Sequence, residues 1–145
     1  MGNEINLMKN YPKSKRDIKS RGNSKTQIDR KIAREFGKEF FDGNRSQGYG
    51  GFNYDPKYWK EVIPDFQKHF NLSSKDSILD VGCAKGFMIF DFERLIPGIS
   101  VRGVDISNYA IENAKLEVKK KCSVANAKKL PFSDILGYTR WQSLV

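Results

Sequence analysis

Apolar residues in the first half of the chain recur at intervals of four. Ile28, Ile32, Phe36 and Phe40 are separated by charged and polar residues. That is the repeat of one amphipathic helix, expected to pack as a cap against the rest of the chain. A second series, Tyr58, Val62, Phe66 and Phe70, follows Asp55-Pro56, a pair that starts helices well. Pro64 falls inside this series and is expected to kink the helix. Between the two series lie Gly43, Gly48, Tyr49, Gly50, Gly51, Phe52 and Tyr54. Glycines beside aromatic residues suit a loop that closes over a ligand, and they equally suit a surface connector.

The second half has a different rhythm. Ser77 to Val81 is a short apolar run containing Asp80, Phe87 to Ile96 has helical spacing, and Pro97-Gly98 stops it. Ile99 to Val104 alternates as a strand and ends at Asp105; Ser107 then suits an N-cap, with Ile111, Ala114 and Val118 on one helix face. A weaker strand, Cys122 to Ala125, is followed by Asn126-Ala127 and Leu130-Pro131-Phe132. Strand, helix, strand, helix, strand describes an α/β fold with a parallel, Rossmann-like sheet and right-handed crossovers. The expected organisation is a basic, mobile N-terminal arm over 1–25, a helical cap with the Gly/Tyr-rich loop over 26–72, and the sheet domain over 73–145.

Composition narrows the function classes. The 145 residues carry 26 Lys+Arg against 17 Asp+Glu, a formal charge of +9, and are 39% apolar, which suits one globular domain and excludes collagen and wholesale disorder. No apolar run approaches the roughly 18 residues a membrane span needs. The polar, basic N-terminus has no secretory pattern. Cys83 and Cys122 form no CxxC pair and read as reduced thiols of a cytoplasmic protein. Residues 1–40 hold eleven basic and five acidic side chains, a net +6. Such an arm suits phosphate contact, on RNA or on an anionic small molecule, or simple solvation.

The chemistry concentrates in Asp80-Val81-Gly82-Cys83-Ala84-Lys85-Gly86 and in Asp105, 19 residues beyond Gly86. In open α/β sheets ligands bind outside the carboxyl ends of the strands, and this loop is the first such end. Glycines let the backbone approach a ligand, and the following helix offers unpaired N–H groups. A P-loop fails because the glycines are four apart and Phe87 follows; a dinucleotide GxGxxG fails on spacing and at Ala84. What remains is an acid at the end of each of two strands flanking a GxxxG loop.

This segment resembles the first motif of class I S-adenosylmethionine-dependent methyltransferases. Gly103-Val104-Asp105-Ile106-Ser107 is similar to their second-strand motif, and Ala127 to Asp134, with Leu130-Pro131-Phe132, to the segment after their third strand. The resemblance covers about Ser77 to Asp134. It implies S-adenosylmethionine as cofactor, with Asp80 and the backbone of Gly82, Cys83, Ala84 and Gly86 around the methionine part. It further implies Asp105 on the ribose, Ile106 against the adenine, and Asn126 and Ala127 at the adenine edge.

Two features depart from the family. Ala84 stands where a central glycine is usual, which is costly if φ is positive. The sequence after Asp134 shows no strand pattern, so the sheet is expected to stop after its third strand as in a truncated product, leaving an edge of strand one unpaired. The expected activity is methyl transfer to an acceptor, read as a small molecule, with no membrane partner and no metal. A non-catalytic fragment or binding module, and an RNA methyltransferase using the basic arm, are the alternatives. No catalytic residue is assigned, and His69, the single histidine, reads as structural.

Overall fold

The computed structural model describes residues 4–13, 24–132 and 141–142. Its centre is a parallel sheet built from β1 (Ser77–Val81), β2 (Ser100–Asp105), β3 (Cys122–Val124) and β4 (Trp141–Gln142), in the order β3-β2-β1-β4. β1 and β2 align Asp80 with Gly103 and Val81 with Val104, so both strands end beside the Gly82–Gly86 loop. Strands buried on both faces read as continuous apolar runs, and Ile78, Leu79, Val101 and Val104 are all buried here.

The strand β4 corrects one expectation. Two residues are too short for any periodicity to register, yet Trp141 pairs opposite Leu79 and Gln142 opposite Asp80, in parallel. The edge of β1 is therefore partly covered, and its backbone groups find the partners that an open edge lacks. Residues 133–140 lie outside the described residues.

Helix α1 (Gln27–Ala33) and helix α2 (Lys38–Asp42) replace the single helix expected from the Ile28–Phe40 stripe. The chain breaks at Phe36, whose φ of 49° is left-handed, and at Gly37. Thr26 and Asp29 form a capping box that starts α1. No residue of α1 is buried and Ile28 is 71% exposed, so the stripe does not pack as a cap there; Phe41 of α2 does.

Pro56–Tyr58 forms only a 3-10 turn, and α3 runs separately over Val62–Phe70. Pro64 is its third residue, inside the first turn where a missing N–H costs nothing, so the expected kink is absent. Val62, Ile63 and Phe66 of α3 enter the same apolar core as Ile78, Ile89 and Phe92, which packs this helix against the sheet. Helix α4 (Phe87–Leu95) supplies Ile89 and Phe92, and the Phe66 and Phe92 rings meet edge-on at 6.1 Å. Helix α5 (Asn108–Glu112) is capped by Ser107, as expected, but ends early. Ala114 and Val118 are buried beyond its last turn, while Ile111 is half-buried.

The N-terminal residues 4–13 are laid along α3. Leu7, Met8 and Tyr11 pack against the core, Asn10 donates to Asp65 at 2.8 Å, and Lys9 pairs with Asp65 at 3.5 Å. The basic residues Lys15, Arg16, Lys19 and Arg21 fall outside the described residues.

Asp91 in α4 is fully buried. It accepts from the Tyr54 hydroxyl at 2.7 Å and from Arg94 Nε at 3.0 Å. Burial and that carboxylate push the Tyr54 pKa up to about 12. The Gly/Tyr-rich loop is thereby tied to α4. Tyr54→Phe should lower unfolding free energy by about 2 kcal/mol, the range for a hydrogen bond to a charged group whose partner is left short of donors. An unchanged denaturation midpoint would show that this bond does not hold the loop.

Candidate functional site

Two hydrogen bonds set the loop after β1 onto β2: the N–H groups of Gly82 and Cys83 both donate to the Val104 carbonyl, at 2.7 and 3.0 Å. Gly82 has φ 90°, and a Cβ there would meet nothing within 4 Å, so this backbone borders open space. Ala84 has φ 48°, the positive value that alanine resists. Its N–H donates to Asp105 Oδ2 at 2.8 Å while Asp105 Oδ1 accepts from Ser107 N–H at 2.8 Å. One carboxylate thus fixes both the loop and the start of α5.

These elements border a cleft of about 460 Å³ at the carboxyl ends of β1 and β2. Of the residues expected in the site, Gly82, Ala84, Asp105, Ile106, Asn126 and Ala127 line it. Phe36, Phe40, Phe41 and Tyr49 close its other side. Ser107 anchors that side, its hydroxyl donating to the Phe36 carbonyl and accepting from Ala110 N–H.

Asp80, Cys83 and Gly86 lie behind the lining. Asp80 is 5% exposed, and burial together with the nearby Asp105 charge raises its pKa to about 7. The Cys83 side chain turns inward toward β2: a methyl on Gly103 would come within 2.7 Å of its Sγ. Contact with Cys122 and burial push the Cys83 thiol up, so it has no thiolate character and acts as a packing group. Gly86, with φ 74°, begins α4, and a Cβ there would lie 3.0 Å from Val118 and 3.1 Å from Cys122. A bulky residue at Gly86 would therefore strike the core rather than fill the cleft.

Lys85 and Asp42 form a buried ion pair beside the site that sequence reasoning missed. Lys85 sits inside the motif yet only 8% of its side chain is exposed. Its ammonium donates to Asp42 Oδ1 and Oδ2 at 2.9 and 2.7 Å and to the Phe52 carbonyl at 2.9 Å. Asp42 also accepts from Phe52 N–H at 3.0 Å and from the Tyr109 hydroxyl at 2.7 Å. Burial alone would raise the Asp42 pKa, but the bonds from Lys85, Phe52 and Tyr109 outweigh it and hold the carboxyl below its ordinary value. A lysine among glycines in a loop was the available signal; its partner, 43 residues away, left none.

His69 is exposed on α3 against the Phe70 ring at 4.6 Å, and does not line the cleft. Among the described residues no three His, Cys, Asp or Glu side chains group to hold a metal, and no helix is long and apolar enough to cross a membrane.

Residues 72–136 match the family model described as a methyltransferase domain. Among solved structures the chain is similar to the MccD protein, at 32% identity over 57% of this chain and 38% of that one, with a TM-score of 0.48. It is also similar to YjhP from E. coli (21% identity, 63% of this chain, 36% of that chain, TM-score 0.40). A third is Haemonchus contortus phosphoethanolamine N-methyltransferase 2 in complex with S-adenosyl-L-methionine (21% identity, 64% of this chain, 21% of that chain, TM-score 0.37). The chain spans no more than 38% of the length of these three. No curated protein matches it.

Ala84→Gly should stabilise the fold by roughly 1 kcal/mol, since relief of the positive φ exceeds the added freedom of the unfolded chain; a loss would mean that the methyl packs productively. Asp42→Asn leaves a buried ammonium short of its counter-charge and should cost about 3 kcal/mol at neutral pH. Because the folded Asp42 pKa is depressed, its contribution is complete above the unfolded value near 4 and is lost as pH falls through the folded one. Denaturation midpoints across about pH 2–5 should therefore slope less in the variant than in the wild type.

Proposed function

We propose that the cleft binds S-adenosylmethionine and that the protein transfers its methyl group to a small-molecule acceptor, a reading supported by the match of residues 72–136 to the methyltransferase-domain model and by the parallel sheet. The observation that carries this reading is the placement of Asp105 and the open backbone at Gly82 on one cleft at the strand ends. Brought to this chain, the S-adenosyl-L-methionine bound in the Haemonchus enzyme suits that chemistry.

The residues present fit the cofactor. Each Asp105 oxygen already accepts one backbone N–H, and a carboxylate has lone pairs left for the hydroxyls of a ribose. Ile106, 58% exposed, offers an apolar surface for a flat base beside Asn126 and Ala127. The bare backbone at Gly82 leaves room for the amino-acid end, and Asp80 beneath it supplies charge complementary to an ammonium or sulfonium. When bound, the cofactor would supply a methyl group on cationic sulfur, a carbon already activated toward displacement by an acceptor lone pair. This chain's part is to hold the two reactants in line and to exclude water. Phe36, Phe40 and Phe41 form an apolar wall. Tyr49, whose pKa is raised by burial and by the Asp105 charge, keeps its proton and can donate a hydrogen bond into the cleft.

S-adenosylhomocysteine at about 100 times its dissociation constant should raise the melting temperature on the order of 10 °C. Asp105→Asn should cut that affinity roughly tenfold, through the ribose hydrogen bond it weakens. Affinity unchanged in the variant, or no shift in the wild type, would overturn the site. The Asp80 carboxyl, with its pKa of about 7, should release a proton when a cationic ligand arrives, measurable by calorimetry in buffers of different ionisation enthalpy. Folding has the opposite sign to Asp42: the raised pKa means that stability falls as pH rises from about 4 through about 7. Asp80→Asn should therefore remove both the proton release and that loss of stability.

A further inference from the structure

A second cleft, of about 670 Å³, lies on the far side of Tyr49, which lines both. We propose that it is the acceptor pocket and that the acceptor is a planar aromatic molecule carrying an anionic group. This rests on the methyltransferase reading above and adds the substrate class.

The walls are aromatic. On one side Tyr11 meets the Tyr58 ring at 5.5 Å and the Trp59 ring at 5.4 Å. On the other, Tyr49 packs on Phe52 at 4.4 Å, and Phe52 stacks on Phe87 at 5.0 Å with the rings inclined by 23°. Rings presented from both sides favour a flat π-system over a flexible aliphatic chain. The rim is cationic: Lys13, Arg45 and Lys57 line the pocket against the single acid Asp55, a net +2. Lys57 pairs with Asp55 at 2.6 Å and Arg45 donates to the Tyr49 carbonyl. The balance therefore favours an anion, carboxylate or phosphate alike. The volume is within the range of small-ligand sites.

The pocket is joined to the proposed cofactor cleft by structure as well as by proximity. Phe87 is the first residue of α4 after Gly86, and the Phe52 carbonyl is held by Lys85 of the same loop. Tyr49 stands where the two clefts adjoin, so an aromatic anion seated among these rings would approach the methyl donor past its edge. The two sites also differ in sign, since the cofactor cleft is bordered by Asp105 over Asp80 while the second pocket is rimmed by lysine and arginine. Each reactant is thus directed to its own side.

The test is calorimetric titration of the full chain, with and without saturating S-adenosylhomocysteine, using 1-naphthyl phosphate, 1-naphthoate and neutral 1-naphthol as probes. Both anions should bind roughly tenfold tighter than 1-naphthol and should not be displaced by S-adenosylhomocysteine. Lys13→Gln combined with Lys57→Gln, both exposed positions, should bring the three probes to within about threefold of one another while leaving S-adenosylhomocysteine affinity unchanged. Equal binding of the three probes to the wild type, competition with S-adenosylhomocysteine, or indifference to the double variant would each overturn the proposal. S-adenosylhomocysteine binding without probe binding sinks the pocket and leaves the methyltransferase reading standing. Probe binding with the expected charge preference but no S-adenosylhomocysteine binding sinks that reading and, with it, the acceptor role.

Discussion

An ammonium cannot be taken out of water without a counter-charge, and the Lys85–Asp42 pair answers that constraint for the whole strand-end region. Lys85 is drawn inside because the loop between β1 and α4 folds back over β2 through the Val104 carbonyl. Once there it requires Asp42, the last residue of α2. Asp42 in turn takes up the Phe52 N–H and the Tyr109 hydroxyl. Four segments, α2 and the Gly/Tyr-rich loop that follows it, the motif loop and the start of α5, meet at one carboxylate. Buried pairs of this kind add little net stability against an apolar alternative, but they penalise every arrangement that separates them. Here the pair specifies how the aromatic residues close over the strand ends.

The same region stores opposing tendencies. Ala84 is held in a left-handed conformation that its methyl resists, and the bond from its N–H to Asp105 compensates. Asp80 is buried within reach of the Asp105 charge, an arrangement that destabilises its own ionised form. The second is a cost that a nearby positive charge would relieve, and carboxyls shifted in this way gather where structure serves binding. In the core beneath, Leu79, Ile89, Phe92 and Val118 are sealed between sheet and helices. Gly103 is kept free of side chain so that Cys83 can pack against β2.

Much of this was legible in the sequence, because it depends on local rules. The β1–loop–α4–β2 unit follows from short apolar runs ended by acids and glycines, and Ser107 announces α5 as a cap. The cleft-lining positions Gly82, Ala84 and Asp105 follow from their places after strand ends, where a parallel sheet opens, whereas Ile106, Asn126 and Ala127 were reached through the resemblance to class I methyltransferases. Strand and cap signals extend over a few residues, so neighbouring side chains suffice to determine them. The Ile28–Phe40 stripe misled because spacing reports which residues share a helix face but not where the backbone turns left-handed, as it does at Phe36.

Tertiary structure decided the rest. β4 exists because β1 presents an open edge to Trp141–Gln142, and two residues carry no pattern of their own. Cys83 and Cys122, 39 residues apart in sequence, become neighbours only when β2 and β3 align. Asp42 is one of many surface-like acids until Lys85 arrives beside it. Periodicity and motif spacing determine which elements form and which strand ends can bear ligands; pairing across the sheet and the neutralisation of buried charge determine which distant residues complete the site, because those energies exist only once the chain has brought the partners together.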